Sequence, residues 1–156
     1  MKLFADMKRV LALDVGDRRI GVAVSDLTRL LARGAKLIYR RKQVEQDFAE
    51  IAKLVQEYKV GEIVIGYPRH VSGEVGEQAQ KVEAFATALA EYLKPDGPPL
   101  TLWDERYSSV TAQETLQERG RQLRHLDAIA AAAILQSYLD AQRGPVSLPD
   151  PGEAES

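Results

Sequence analysis

Four acidic residues stand where they could do chemistry. Asp14 closes an apolar run in "LALDVGDRRIGVAVSD" (11–26), Asp104 and Glu105 close another in "LWDERYSS", and Asp127 opens "LDAIAAAAILQSYLD" (126–140). Carboxylates brought together repel one another and normally need a cation, and hard oxygen donors of this kind suit Mg2+ or Mn2+. Two such ions ~4 Å apart activate a water and stabilise the leaving oxygen of a phosphodiester. The chain has no cysteine, which excludes disulfides, thiolate nucleophiles and thiolate metal sites but leaves this chemistry open. In such a site Asp14 would bridge the metals, while Glu105 and Asp127 would each complete one. Asp104 and Glu105 point to opposite faces of a strand, so one of them enters the site, and Glu105 is favoured. Each acid also has a plainer role: Asp14 in an Asx turn, Asp127 as a helix N-cap, and the outward member of the pair as a partner for Arg106.

For these positions to meet, the chain must bring them to one edge. "RVLALDV" (9–15) and "RIGVAVS" (19–25) read as strands joined by three residues, which forces an antiparallel hairpin. A third strand is expected at 35–40 and a helix over 43–59, where Val44, Phe48, Ile51, Val55 and Tyr58 fall at helical spacing. "EIVIGY" (62–67) is a buried strand, followed by the glycine-rich "GYPRHVSGEVG" and a helix carrying Val82, Phe85, Ala86, Leu89 and Leu93 on one face. "LTLWDE" (100–105) is the last strand. Two helical segments close the chain: one capped near Ser108 or Ser109, with capping-box spacing from Thr111 to Glu114, and one over 126–140, apolar almost all round and suited to packing between layers. Right-handed strand–helix–strand crossovers give an α/β fold. It is a mixed five-stranded sheet, the first hairpin antiparallel and the later strands parallel, with helices on both faces. The first strand is central, and ligand sites gather beyond the carboxyl ends of such strands.

Around the acids, Arg19 and Arg106 either hold substrate phosphates or neutralise the carboxylates. In the loop after the fourth strand, Gly66, Gly73 and Gly76 permit close backbone approach to a phosphate. Arg69 is a candidate nucleic-acid contact there, and His70 is either a mobile acid–base group or a solvent-exposed side chain. Arg121 and Arg124, in "ERGRQLRH", form a basic cluster that contacts phosphates or is a solvated face. Hydrophobic residues make up 45% and charged residues 28% of the 156, which describes one globular domain. The formal net charge is −2, and the tail 143–156 sets Arg143 against Asp150, Glu153 and Glu155, so residues 1–142 balance. That balance neither announces nor excludes a nucleic-acid partner. We expect one domain over 1–142 and a disordered acidic tail over 143–156. No long apolar stretch spans a membrane and the N-terminus lacks a signal-peptide core, so a cytoplasmic protein is expected.

The segments "LALDVGDRRIGVAVSD", "IVIGYPRHVSGEVGEQAQKVEAFATAL", "DERYSSVTAQETL" and "LDAIAAAAILQSYLD" together resemble the YqgF/RuvX family, the precursor 16S rRNA nucleases also described as Holliday junction resolvase-like. The resemblance runs from Arg9 to Asp140 in family order. It implies an RNase H-like fold and a metal-dependent nuclease that matures the 5′ end of small-subunit rRNA, with the small ribosomal subunit as a possible associate. The family's acidic positions fall on Asp14, the Asp104–Glu105 pair and Asp127. Departures are Tyr67 where leucine is expected, His70 where asparagine is, and Ser108 and Ser109 in place of threonines. Related resolvases also carry a carboxylate after the fourth strand, and "GYPRH" offers none.

Three rival functions fit parts of the pattern. A Holliday junction resolvase would use the same acids on branched DNA. A non-catalytic RNA-binding assembly or transcription factor would keep the fold and little chemistry. An ATP-binding protein of the actin and sugar-kinase type also places an aspartate and glycine in a strand–turn–strand, but closes two such domains around its nucleotide, and 156 residues supply one.

Overall fold

The computed structural model describes residues 7–68, 76–105 and 126–143, and of Leu126 and Asp127 the backbone alone. Eight elements occur among them: β1 (Arg9–Val15), β2 (Arg19–Ser25), β3 (Ala32–Tyr39), α1 (Val44–Glu57), β4 (Val60–Tyr67), α2 (Glu77–Leu93), β5 (Leu100–Asp104) and α3 (Leu126–Gln142). They build one sheet in the order β3-β2-β1-β4-β5. β1 pairs antiparallel with β2 and parallel with β4, and β4 pairs parallel with β5, which is the mixed sheet read from the sequence. β1 is therefore central and buried on both faces, as its near-continuous apolar run requires.

Side-chain alternation along the strands divides the core in two. Leu11 and Leu13 of β1 with Ile63 and Ile65 of β4 face α1 and α2, meeting Phe48, Ile51, Val82, Phe85 and Leu89. Phe48 and Phe85 meet edge to face, with ring centroids 5.2 Å apart. On the opposite face, Val10, Ala12, Ala23 and Val64 pack against Ala131, Ala132, Ile134, Leu135 and Leu139 of α3. Alanines at 12, 23, 131 and 132 thin the middle of this second layer, so α3 lies close to the sheet there: a Cβ at Gly34 of β3 would stand 3.2 Å from the Ala128 Cβ. The helix is pinned at its other end by Trp103 Nε1 donating to Ser137 Oγ (2.8 Å) and by Tyr138 OH donating to Glu62.

Several expectations shift. β3 begins at Ala32 rather than 35, because an edge strand needs no apolar alternation and Arg33, Gly34 and Lys36 are exposed. α1 stops at Glu57, Lys59 adopts a left-handed φ of 53°, and β4 starts at Val60. Gly66 lies within β4, inside the strand expected over 62–67, and is not one of the glycines of the loop beyond it. Among the described residues α3 covers a single face of the sheet. The helical segment expected from Ser108 onward and the tail 144–156 lie outside the described residues, and no helix among those described is long and apolar enough to cross a membrane.

The close seat of α3 gives a direct prediction. Ala131 is fully buried, so Ala131→Leu overpacks the seam and lowers unfolding free energy by about 1–3 kcal/mol. Urea denaturation with an unchanged m value measures it; an unaffected midpoint would show that the helix is not tightly seated.

Candidate active site

Asp14 is the penultimate residue of β1 and pairs with Gly21 of β2. The register sets Leu13 beside Ile65, so Asp14 stands level with Gly66 at the carboxyl edge of the parallel strands. Alternation places Asp14 on the α3 face, with Val10 and Ala12. β5 lies two strands from β1, about 10 Å away at ordinary strand spacing. The gap is crossed by Glu105, the residue just after β5. Its side chain leans over Gly66: a Cβ at Gly66 would lie 2.7 Å from Glu105 Oε1, 3.2 Å from Glu105 Cγ and 2.6 Å from Ile134 Cδ1 of α3. Only a glycine leaves room for the carboxylate there. Asp104, paired with Tyr67, falls on the opposite side of the strand by the same alternation.

The electrostatics follow from that approach. Burial pushes the Glu105 carboxyl up, and the negative charges of Asp14 and then Asp104 push it further, from 4.5 to about 7. A carboxyl held in this way takes a proton or a cation readily. Beside it, an open depression of about 280 Å³ is lined by Asp14, Gly16, Asp17, Arg18 and Arg19. A second, of about 500 Å³, shares Asp17 and continues along Pro68, the first turn of α2 and Lys81. Lys81 Nζ lies 3.4 Å from Asp17 Oδ1 between the two.

The structure thus brings Asp14 and Glu105 together, sets Asp104 behind them and puts Arg19 on the adjoining wall. The Asp127 backbone occupies the first turn of α3, next to Ala128 on Gly34. Among the described residues no three His, Cys, Asp or Glu side chains are grouped to hold a metal. The donors present, two carboxylates with mutual repulsion, are nevertheless those that Mg2+ or Mn2+ prefers. Arg69, His70, Arg106, Arg121 and Arg124 lie outside the described residues. Sequence reasoning missed Arg18 and Asp17 as lining residues, and it grouped Gly66 with the loop glycines although the strand expected over 62–67 also held it. A glycine in phase with Val64 on a buried strand face was the available signal for close approach. Tyr67, the departure at the end of β4, anchors α2 by donating to Glu83 Oε1 at 2.5 Å.

Comparison with known proteins adds to this geometry. A family model described as "RuvX: Holliday junction resolvase" matches residues 8–141. A Thermoanaerobacter pseudethanolicus protein named "Putative pre-16S rRNA nuclease" is 41% identical over 140 residues, covering 86% of this chain and 98% of its own. A Desulfitobacterium hafniense protein of the same name is 43% identical over 136 residues, 85% of this chain and 92% of its own. Among solved structures, Thermus thermophilus RuvC aligns with a TM-score of 0.64 at 16% identity, over 87% of this chain and 96% of that one. The fowlpox virus resolvase complexed with Holliday junction DNA aligns with a TM-score of 0.52 at 11% identity, over 86% and 98%. At these identities the two structures share the fold.

The raised Glu105 carboxyl makes stability depend on pH. Its folded value lies above its ordinary 4.5, so folding takes up a proton between about 4.5 and 7. The contribution is whole at the acid end and is lost as pH rises through about 7. In EDTA, the melting temperature should fall more between pH 5.5 and pH 8 for the native chain than for Glu105→Gln. Parallel pH profiles for the two proteins would contradict the electrostatic account.

Proposed function

We propose that this chain, which belongs to the RuvX family, is a metal-dependent nuclease that hydrolyses RNA phosphodiester bonds and matures precursor 16S rRNA in the cytoplasm. The observation that carries this reading is the Glu105 carboxylate folded over Gly66 beside Asp14 at the carboxyl edge of a resolvase-type sheet. The names of the relatives support the RNA substrate, and 5′-end maturation on the small ribosomal subunit is the matching step.

In this reading Asp14, Glu105 and Asp127 hold Mg2+ or Mn2+. A divalent ion held there would supply Lewis acidity for activating water and stabilising the leaving oxygen. The chain's own residues do the rest. Asp14 presents its oxygens from a central strand that both helical layers hold rigid. Glu105 brings a second carboxylate across β4, in the room that Gly66 leaves. Asp127 stands seven residues before Ile134, two helical turns away on the same side of α3 by backbone position. Arg18 and Arg19 line the depression beside Asp14, where guanidinium forks suit phosphate oxygens. Arg69, His70, Arg106, Arg121 and Arg124 extend that contact surface in the proposal, and Asp104 contributes charge behind the site.

The family description and the two resolvase structures favour one second reading, cleavage of branched DNA. Both are tested by incubating the chain with structured precursor rRNA, four-way DNA junctions and single-stranded controls in Mn2+, Mg2+ or EDTA. Metal-dependent RNA cleavage is expected, and junction preference would promote the resolvase. RNA binding without cleavage, equal in the native chain and Asp14→Asn, would leave a non-catalytic assembly factor.

Two variants test the site itself. Asp14→Asn should abolish cleavage while circular dichroism and melting show an intact fold; retained cleavage would place the active centre elsewhere. Gly66→Ala forces the Glu105 carboxylate aside and should lower cleavage by on the order of 10², with little change in RNA affinity. An unchanged rate would remove Glu105 from the site.

A further inference from the structure

We propose that Arg40 is a positioning residue that fixes the β1–β2 turn, and with it Asp14, through a buried carboxylate on α1. The inference rests on the nuclease reading for its catalytic consequence and on the structure alone for its mechanical one. The turn begins two residues after Asp14, and two of its carbonyls are held by this one side chain and its backbone. Arg40 Nη1 donates to the Gly16 carbonyl at 3.0 Å, and the Arg40 amide donates to the Arg18 carbonyl at 2.8 Å. Within the turn, the Gly16 amide donates to the Arg19 carbonyl at 2.8 Å.

What aims the guanidinium lies on its other side. Arg40 Nε is 3.8 Å from Asp47 Oδ2, and its guanidinium carbon is 5.3 Å from the centre of the Phe85 ring. Asp47 is wholly buried in the first turn of α1. It also accepts from the Arg41 amide, 3.3 Å to Oδ1 and 3.4 Å to Oδ2, and Arg41 Nη1 lies 3.4 Å from Oδ1. A buried ion pair adds little net stability over an apolar replacement, because desolvation offsets the Coulomb attraction. Its benefit is geometry. The fork of Arg40 joins three elements, the β1–β2 turn, the end of β3 and the start of α1, and leaves the turn one arrangement. Asp14, two residues before the turn, inherits that arrangement.

The test compares the native chain with Arg40→Lys and Asp47→Asn. Lysine keeps the charge but cannot serve Gly16 and Asp47 with one planar group. For Arg40→Lys, kcat should fall about tenfold or more with KM within twofold, since misplacement of an acid affects the reaction more than binding. Amide hydrogen exchange should quicken at Gly16 and Arg40 and stay unchanged in the interior of β1. Asp47→Asn should show the same pattern; if it does not fold, Arg40→Lys decides. Unchanged kcat and unchanged exchange at Gly16, or exchange quickened evenly along β1 and β2, would overturn the proposal and leave Arg40 a stabilising residue only. If the native chain cleaves nothing, the nuclease reading fails, and the exchange pattern still decides whether Arg40 holds the turn.

Discussion

Two negative charges brought close at one sheet edge are the constraint on which the rest of this structure depends. Asp14 and Glu105 come from strands on either side of β4, and nothing in their own chemistry draws them together. Burial and mutual repulsion lift the Glu105 carboxyl to about 7, so the arrangement costs folding free energy near neutral pH. That cost must be offset elsewhere, and the sheet's two apolar layers do so. The same tension makes the edge receptive: whatever supplies positive charge there is bound more tightly because the acids cannot relax apart.

The two layers offset that cost in different ways. Beneath the sheet, Phe48, Ile51, Phe85 and Leu89 fill a deep core of large side chains. Above it, Ala12 and Ala23 meet Ala131 and Ala132, a thin seam that lets α3 settle onto the strands. The thin seam is on the side of the site. A bulkier layer would lift Ile134 from Gly66 and move the start of α3 away from the carboxylates. Less apolar volume is buried there, and the anchors at Trp103–Ser137 and Tyr138–Glu62 compensate with specific polar contacts at the far end.

The legibility of this arrangement in the sequence varied with how local its causes are. The hairpin and the central strand were readable because their signals, continuous apolar runs and a three-residue joint, lie within β1 and β2 themselves. The central place of the first strand in the sheet followed from them. β3 was read short because an edge strand with Arg33 and Lys36 exposed has no pattern to find. The choice between Asp104 and Glu105 depends on strand phase, which the sequence leaves open by one residue. Gly66, once placed in β4, settles which of the two leans toward Asp14. In the sequence Arg40 is one of three adjacent basic residues, with Arg41 and Lys42, and a run of that kind ordinarily forms a solvated face. Its partners, Gly16 and Asp47, lie far along the chain or on another element, and no local pattern joins them.

The polar residues around the site therefore divide by what fixes them. Asp14 and Glu105 are held by strand geometry and a missing Cβ, which act without any charge of their own. The turn beyond Asp14 has no such support: two of its residues are exposed, and a turn of this length samples several conformations unless something outside it intervenes. Arg40 and Gln78, which donates to the Val15 carbonyl at 3.3 Å, supply that outside hold from β3's end and from α2. Both reach it from the large-residue layer, on the side of the sheet away from α3. The layer that stabilises the fold thus also orients the turn, and the layer that carries the second half of the site is left free to sit close.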